Sequence, residues 1–295
     1  MTKIILSNST DPFYNLAIEE WAVRNIDTTT CDYLFLYINT DCVVVGRNQN
    51  VFQEVNLRYC KEHKIEICRR VSGGGTVFHD VENVNWTFIS KFEADKVNDY
   101  KVFASSIIKV LQKLKLKAYL NDRNAIMVDS YKLSGQAQFT NRKNILSHGT
   151  LLYNSDIEKL NNTTTLKNKI VKTKATKSVR SEVKTIKDLS SVKLDGVNAL
   201  IQLIIAENVL KETIFFDINT PGIQQEIAIL KGRYQTQKWI YQRSSSCEIT
   251  EEIKGELLTF IIEKLIIIAV KNKKGEEINQ HPLLNYNYLD LFSFH

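Results

Sequence analysis

The run Arg69-Arg70-Val71-Ser72-Gly73-Gly74-Gly75-Thr76-Val77-Phe78-His79-Asp80 constrains this chain more than any other stretch. Three consecutive glycines between an arginine pair and a histidine imply close approach to the backbone. A residue without Cβ lets the main chain reach a phosphate or carbonyl that any side chain would block. Taken alone, a Gly-Gly-Gly run is equally a flexible loop. Its neighbours narrow the choice: Arg70 precedes the bend and His79 closes it, so donors converge on a segment whose own N–H groups are unobstructed, as in a cradle for phosphate or carboxylate. The run is neither a GxxxxGK[ST] loop nor a GxGxxG fingerprint, which excludes the P-loop and dinucleotide-fold solutions.

A second motif, Tyr131-Lys132-Leu133-Ser134-Gly135-Gln136-Ala137, sets one lysine before a small-residue turn and follows the apolar run Ile126-Met127-Val128. A lone lysine at a strand end is ordinarily solvated. Here the turn would let Lys132 point back into a pocket, where an ammonium near a carboxyl and an α-phosphate neutralises developing charge. The two motifs together predict a site for an activated acyl phosphate formed with ATP. His148 is a candidate pocket residue and equally a core or capping histidine. The stretch from Lys167 to Lys187 reads as a solvated charged loop, although Ser178-Val179-Arg180-Ser181, anchored by Val183 and Ile186, could fold over a bound adenylate.

At 295 residues the chain can form one large domain, or a catalytic domain with a small appendage. Hydrophobic residues at 43% and charged residues at 24% exclude a fibrous or disordered chain and predict a soluble globular one. The net charge of +6 suits an acidic partner or a phosphate-bearing ligand and does not by itself imply nucleic acid. Cys31, Cys42, Cys60, Cys68 and Cys247 form no CxxC pair, which argues for a reducing compartment and against zinc. The first residues are too short an apolar stretch for a signal peptide, and Leu257 to Val270 is interrupted by Glu263 and Lys264, so no membrane span is expected.

The patterning predicts a helix starting at Asn15 as N-cap and strands over 33–38 and 42–46. A short helix follows over 54–63, then a strand over 65–70 entering the glycine loop, with 85–90 as its hairpin-like return. An amphipathic helix over 100–113, strands near 125–128 and 148–153, a moving surface loop over 161–187, a helix over 195–211 and a small antiparallel unit over 256–270 complete it. The expected fold class is α/β (α+β), mixed sheets flanked by helices, with the helices on one side. A soft boundary near Gln242 separates a catalytic domain, 1–242, from a short accessory domain, 243–295.

Read together, Asn15 to Glu20, Gly46 to Asn50, Arg69 to Asp80, Lys132 to Gly135, His148 to Leu152 and Lys177 to Ser181 resemble, in order, the signatures of the lipoate-protein ligase A and lipoyltransferase family. The resemblance is close over about residues 1–190 and implies the fold shared with biotin-protein ligases. It implies that lipoate and ATP form lipoyl-adenylate, whose acyl group passes to a lysine of a lipoyl domain of a 2-oxoacid dehydrogenase complex or of the glycine cleavage H protein. Carried over by motif, Arg70 with Ser72, Gly73, Gly74, Gly75, Thr76, Val77 and Phe78 surrounds lipoate and adenylate. Lys132 is the catalytic residue at the carbonyl and phosphate oxygens, flanked by Asn124, Ser134, Gly135 and Ala137. His79, His148, Gly149, Thr150 and Leu151 line the pocket, and Ser178 and Arg180 belong to the adenylate loop. Mg²⁺ accompanies ATP.

Ligases of this kind usually carry a carboxylate directly after the Arg-Asn pair, whereas Ala125 follows Arg123-Asn124 here. The departure leaves open a transferase that accepts ready-made lipoyl-adenylate. A cysteine-dependent acyl transfer is disfavoured because no cysteine lies between Cys68 and Cys247, and a non-catalytic lipoate or adenylate sensor is the remaining alternative. A monomer in the cytoplasm, or in a mitochondrial matrix, with no nucleic-acid or membrane partner, is expected.

Overall fold

The computed structural model describes residues 2–209 and 213–293. In chain order its strands are β1 (Thr2–Leu6), β2 (Asp32–Tyr37), β3 (Cys42–Val45), β4 (Glu66–Arg69), β5 (Val77–His79), β6 (Asn83–Lys91), β7 (Ala118–Leu120), β8 (Ile126–Val128), β9 (Tyr131–Ser134), β10 (Gln136–Thr140), β11 (Asn144–Leu152), β12 (Lys169–Thr173), β13 (Cys247–Ile253), β14 (Glu256–Glu263) and β15 (Ile266–Lys271). The helices are α1 (Pro12–Asn25), α2 (Val51–Glu54), α3 (Leu57–Glu62), α4 (Tyr100–Lys113), α5 (Ile157–Thr164), α6 (Ile186–Leu189), α7 (Gly196–Asn208), α8 (Pro221–Tyr234) and α9 (Gln237–Ile240). The expected helix over 195–211 is α7, and Lys211 lies outside the described residues.

The central sheet runs β1-β2-β6-β11-β10, with β1 parallel to β2 and the other pairs antiparallel. Side chains alternate across a strand, so β2 divides its residues between two cores. Leu34 and Leu36 enter one with Phe103, Ile107 and Leu111 of α4 and Leu200 and Ile204 of α7. Tyr33, Phe35 and Tyr37 enter the other with Leu16, Ile18 and Trp21 of α1 and Ile227 and Tyr234 of α8. Helices therefore cover both faces, not the single face expected from sequence.

The first helix begins earlier than Asn15. Asp11 is its N-cap, accepting from the Phe13 and Tyr14 N–H groups at 2.9 and 3.3 Å, and Pro12 occupies the first turn, where its missing N–H costs nothing. Asn15 is buried inside the helix and donates to Asn39 Oδ1 at 2.8 Å and to the Ser9 carbonyl at 2.9 Å.

Among the described residues there are three smaller sheets, β4-β3-β5, β7-β8-β9 and β12-β13-β14-β15. The strand entering the glycine loop, β4, pairs with β3 in the first of these, while β6 belongs to the central sheet. The expected return over 85–90 is thus not the partner of β4; β5 folds back onto β3 instead. Within the predicted loop over 161–187, β12 is a strand paired with β13, so the C-terminal sheet has one strand from well before Gln242. That sheet buries Ile249, Phe260 and Ile262 against Val43, Val45 and Phe52 in a third core. No helix among the described residues is long and apolar enough to cross a membrane.

Candidate active site

The glycine loop is braced by both arginines of the Arg69-Arg70 pair, which point to opposite sides of the strand end. Arg69, fully buried, donates through Nη1 to the carbonyls of Gly46 and Gln49 at 2.9 and 2.8 Å and through Nε to that of Ile240 at 2.7 Å. Arg70 donates through Nε to Ser72 Oγ at 2.9 Å, through Nη1 to the Val44 carbonyl at 3.0 Å, and through Nη2 to the carbonyls of Gly73 and Gly75. Burial pulls the Arg70 pKa down to about 10 against the attraction of Glu19. The guanidinium holds the shape of the bend through its carbonyls; the N–H groups of Gly73, Gly74 and Gly75 have no acceptor among the described residues.

Gly74 takes φ +82°, a conformation that strains any side chain. Beneath it, a Cβ on Gly46 would lie 2.3 Å from the Gly74 carbonyl oxygen, so Gly46 is required by close packing of two backbones. Gly73 has open space around its missing Cβ.

A buried relay ties the loop to the central sheet. Ser72 Oγ lies 2.7 Å from His148 Nε2, and His148 Nδ1 lies 2.9 Å from Glu19 Oε1. Glu19 also accepts from Thr87 and from Tyr37, the latter at 3.2 Å. Burial alone would raise the Glu19 carboxyl, but the charge and hydrogen bond of His148 and the two hydroxyls outweigh it and hold it below the usual carboxylate value. Ser72 Oγ accepts from Arg70 Nε, and His148 joins Ser72 to Glu19 through its two ring nitrogens. His79 sits apart from this chain, with Nδ1 3.0 Å from Asn39 Nδ2. Burial first, and then the Arg70 charge, push its pKa down to about 3, so the ring is neutral near pH 7.

Around these groups lies a cavity of about 630 Å³. Of the residues expected from sequence, Arg70, Gly74, Gly75, Thr76, Val77, His79, Asn124, Lys132, Gly135, Ala137, His148, Gly149, Thr150 and Ser178 line it. Phe78, Ser134 and Arg180 line a smaller adjoining cavity of about 160 Å³, which also touches Lys132 and Ser178. Ser72, Gly73 and Leu151 line neither: Ser72 joins Arg70 to His148, and Leu151 is core. Arg180 is exposed and turns toward the end of α5, donating to Thr165 Oγ1 at 2.9 Å and to the Thr164 carbonyl.

Lys132, on β9, is half-buried, and its ammonium has no hydrogen-bond or ion-pair partner among the described residues. A Cβ on Gly135 would come within 3.1 Å of Nζ, so the turn makes room for the ammonium. Burial first, and then the charge of Arg70, pull its pKa below the ordinary lysine value. A cation held this way, without a counter-ion, favours an anion in the same cavity.

The segment after β12 closes one wall. Ser178 Oγ accepts from the Thr76 N–H and from Gln49 Nε2, both at 2.9 Å, and the Ser178 N–H donates to Glu54 Oε1 at 2.9 Å. The Lys132 N–H donates to the Glu182 carbonyl at 2.9 Å, joining this segment to β9. None of the cavity-lining residues is a cysteine.

Residues 11–207 match the lipoyl protein ligase A/B catalytic domain model. The chain belongs to this family. It is 36% identical to the lipoate-protein ligase LplJ of Bacillus subtilis over 80% of this chain and 72% of that protein. It is 34% identical to lipoate-protein ligase 1 of Staphylococcus aureus, over 85% and 76% of the two chains. Among solved structures, a lipoate-protein ligase A bound with ATP shares the fold, with a TM-score of 0.69 at 22% identity over 81% of this chain and 97% of that one. As a member of this ligase family the protein is an enzyme.

Sequence reasoning missed several residues that line this cavity. Tyr37, Asn85 and Tyr100 line it from core strands and the start of α4, where nothing local separates them from packing residues. Asp122 lines it from a turn whose Asn121 Oδ1 accepts from the Arg123 and Ala125 N–H groups at 3.0 and 2.9 Å. Glu19 was legible only as a polar position on a helix. Its signal is an acidic residue in the middle of a helix, α1, that has no exposed position until its last turn.

Proposed function

We propose that the protein is an ATP-dependent lipoate-protein ligase that forms lipoyl-adenylate and transfers the lipoyl group to a lysine of an acceptor lipoyl domain. The observation that carries this reading is the unpartnered ammonium of Lys132 in one cavity with Gly74, Gly75 and Thr76. In the first step a carboxylate oxygen of lipoate forms a bond to the α-phosphorus of ATP and the bond to the pyrophosphate oxygen breaks. In the second, the ε-amine of the acceptor lysine attacks the carbonyl carbon, AMP leaves with the bridging oxygen, and the amine loses a proton. Both steps place extra negative charge on oxygen. Lys132 and the free glycine N–H groups meet that charge with preorganised donors, an effect worth about 3–4 kcal/mol for a single donor.

Mg²⁺ dehydrates reluctantly and is usually held by one or two carboxylates together with substrate phosphates. The donor set here fits that pattern. No cluster of three His, Cys, Asp or Glu side chains among the described residues could cage a metal, but Asp122 lines the cavity with the amides of Asn121 and Asn124. Asp122 would hold the ion that comes with the triphosphate, neutralising its charge. This carboxylate, three positions before Ala125, supports the ligase over a transferase limited to preformed adenylate. The five cysteines, all buried and free, suit the reducing cytoplasm.

The two enzyme readings separate in a pair of assays with an apo lipoyl domain as acceptor. Lipoate, ATP and Mg²⁺ should release pyrophosphate and lipoylate the domain, and synthetic lipoyl-adenylate should lipoylate it without ATP. Activity with the adenylate alone would leave only the transferase. No transfer from either would reject both.

A further inference from the structure

The charge of this chain is segregated. Residues 165–187 hold eight of its 39 Lys and Arg and one of its 33 Asp and Glu, so the remaining 31 basic and 32 acidic residues nearly cancel. The entire net positive charge of +6 is thus carried by one segment. Lys167, Lys172, Lys174, Lys177, Arg180 and Lys187 are exposed, and none has a carboxylate within ion-pair distance among the described residues.

The geometry ties this charge to the cavity. In β12 and just beyond it, Ile170, Lys172 and Lys174 are exposed at every second position, and the chain then continues as Thr176 to Val179, which wall the cavity. Ser178 is fixed to the glycine loop through Thr76, and Glu182 to Lys132 through the backbone. Exposed cations are easily solvated one by one, but six unpaired ones on a segment anchored this firmly form a fixed field that draws an acidic surface toward the cavity.

We infer that residues 167–187 form a cationic strap that docks an acidic face of the acceptor protein and delivers its lysine to the cavity. The inference rests on the proposed ligase function and adds to it where the acceptor sits and by what chemistry it is chosen. A protein face fits better than nucleic acid. Ile170 and Val179, each 61% exposed, interleave apolar surface with the cations, and residues 165–187 contain no Phe, Tyr or Trp on which a base could stack.

The test uses the full chain with Lys167, Lys172 and Lys174 all changed to Gln; none of the three lines the cavity. Glutamine is preferred to glutamate because Lys172 is opposite Glu248 across the sheet. The acceptor is an apo lipoyl domain, native and with the acidic residues flanking its lysine changed to amides. Lipoate-dependent pyrophosphate release should stay within twofold of the wild type. The KM for the native acceptor should rise about tenfold at low salt, its kcat/KM should lose most of its salt dependence, and the amide acceptor should no longer distinguish the two enzymes.

Normal pyrophosphate release with an unmoved acceptor KM and salt slope overturns the strap and leaves the ligase standing. Loss of pyrophosphate release in the wild type rejects the ligase itself. Wild-type binding of a 20-nucleotide RNA at physiological salt, lost in the triple variant while the acceptor KM stays fixed, would assign the strap to nucleic acid and overturn the inference.

Discussion

Glu19 and His79 show two ways in which a buried ionisable side chain shapes this site. Glu19 is kept charged by His148, Thr87 and Tyr37, and through His148 and Ser72 it fixes the residue that braces the glycine loop. Glu19→Gln removes the charge without changing the shape. It should lower stability by about 1–3 kcal/mol, as expected for a buried hydrogen bond to a charged group, and raise the KM for lipoate; urea unfolding and initial rates measure the two effects. His79 works in the opposite sense, neutral in the fold at a pKa of about 3 against about 6.5 in an unfolded chain. The folded state therefore binds fewer protons, and the stability it contributes above pH 6.5 is lost as the pH falls toward 3, at up to about 1.4 kcal/mol per unit. Between pH 7 and 5 the urea midpoint of His79→Gln should therefore fall less steeply than that of the wild type. Parallel slopes would show that His79 does not set the acid response. The motif residues themselves were legible in sequence, but their jobs were not. Arg70 was expected to donate to ligand, whereas its hydrogen bonds go to Ser72 and to backbone carbonyls, because no neighbouring residue type reveals where a guanidinium's donors end.

At the scale of elements, the glycine loop is two backbones packed together, and the glycine that packing most requires lies outside the Gly-Gly-Gly run. Gly46→Ala would press a Cβ into the Gly74 carbonyl, and overpacking of this kind costs about 1–3 kcal/mol; Gly73→Ala meets open space and should fall within the roughly 0.5 kcal/mol of an ordinary surface change. Thermal unfolding of the two variants should separate them in that order, and equal midpoints would contradict the packing. Elements with a local signal were read well: α4 has its apolar stripe, and β14 alternates with Leu258, Phe260 and Ile262 buried. Those built by distant partners were not. β12 hides in a lysine-rich stretch and becomes a strand by pairing with β13, far away in sequence. α8 has no sharp apolar face and docks through Trp21 donating to Glu226 at 2.7 Å and Tyr234 donating to Glu20 at 2.7 Å. The start of α1 is the exception, since Asp11-Pro12 is a local cap signal that sequence reading passed over for Asn15.

Over the whole molecule, the central sheet, covered on both faces, places β11 and its His148 beside β10, while the small sheet β4-β3-β5 brings the glycine loop against the start of β10 and, through Ser72, against His148. The cavity lies where these two sheets meet, with Lys132 brought in on β9 and the strap closing the remaining wall. The accessory region proposed for 243–295 shares its sheet with β12 and its core with Phe52 and Val45, so it is packed as part of the same structure. The central claim is that Lys132 and the glycine loop act on one mixed anhydride. Its most direct test is the rate of lipoate-dependent pyrophosphate release by Lys132→Ala against the wild type, at matched thermal stability. A loss of about 10²-fold or more is predicted from removal of a preorganised donor; an unchanged rate in a folded variant would contradict the account.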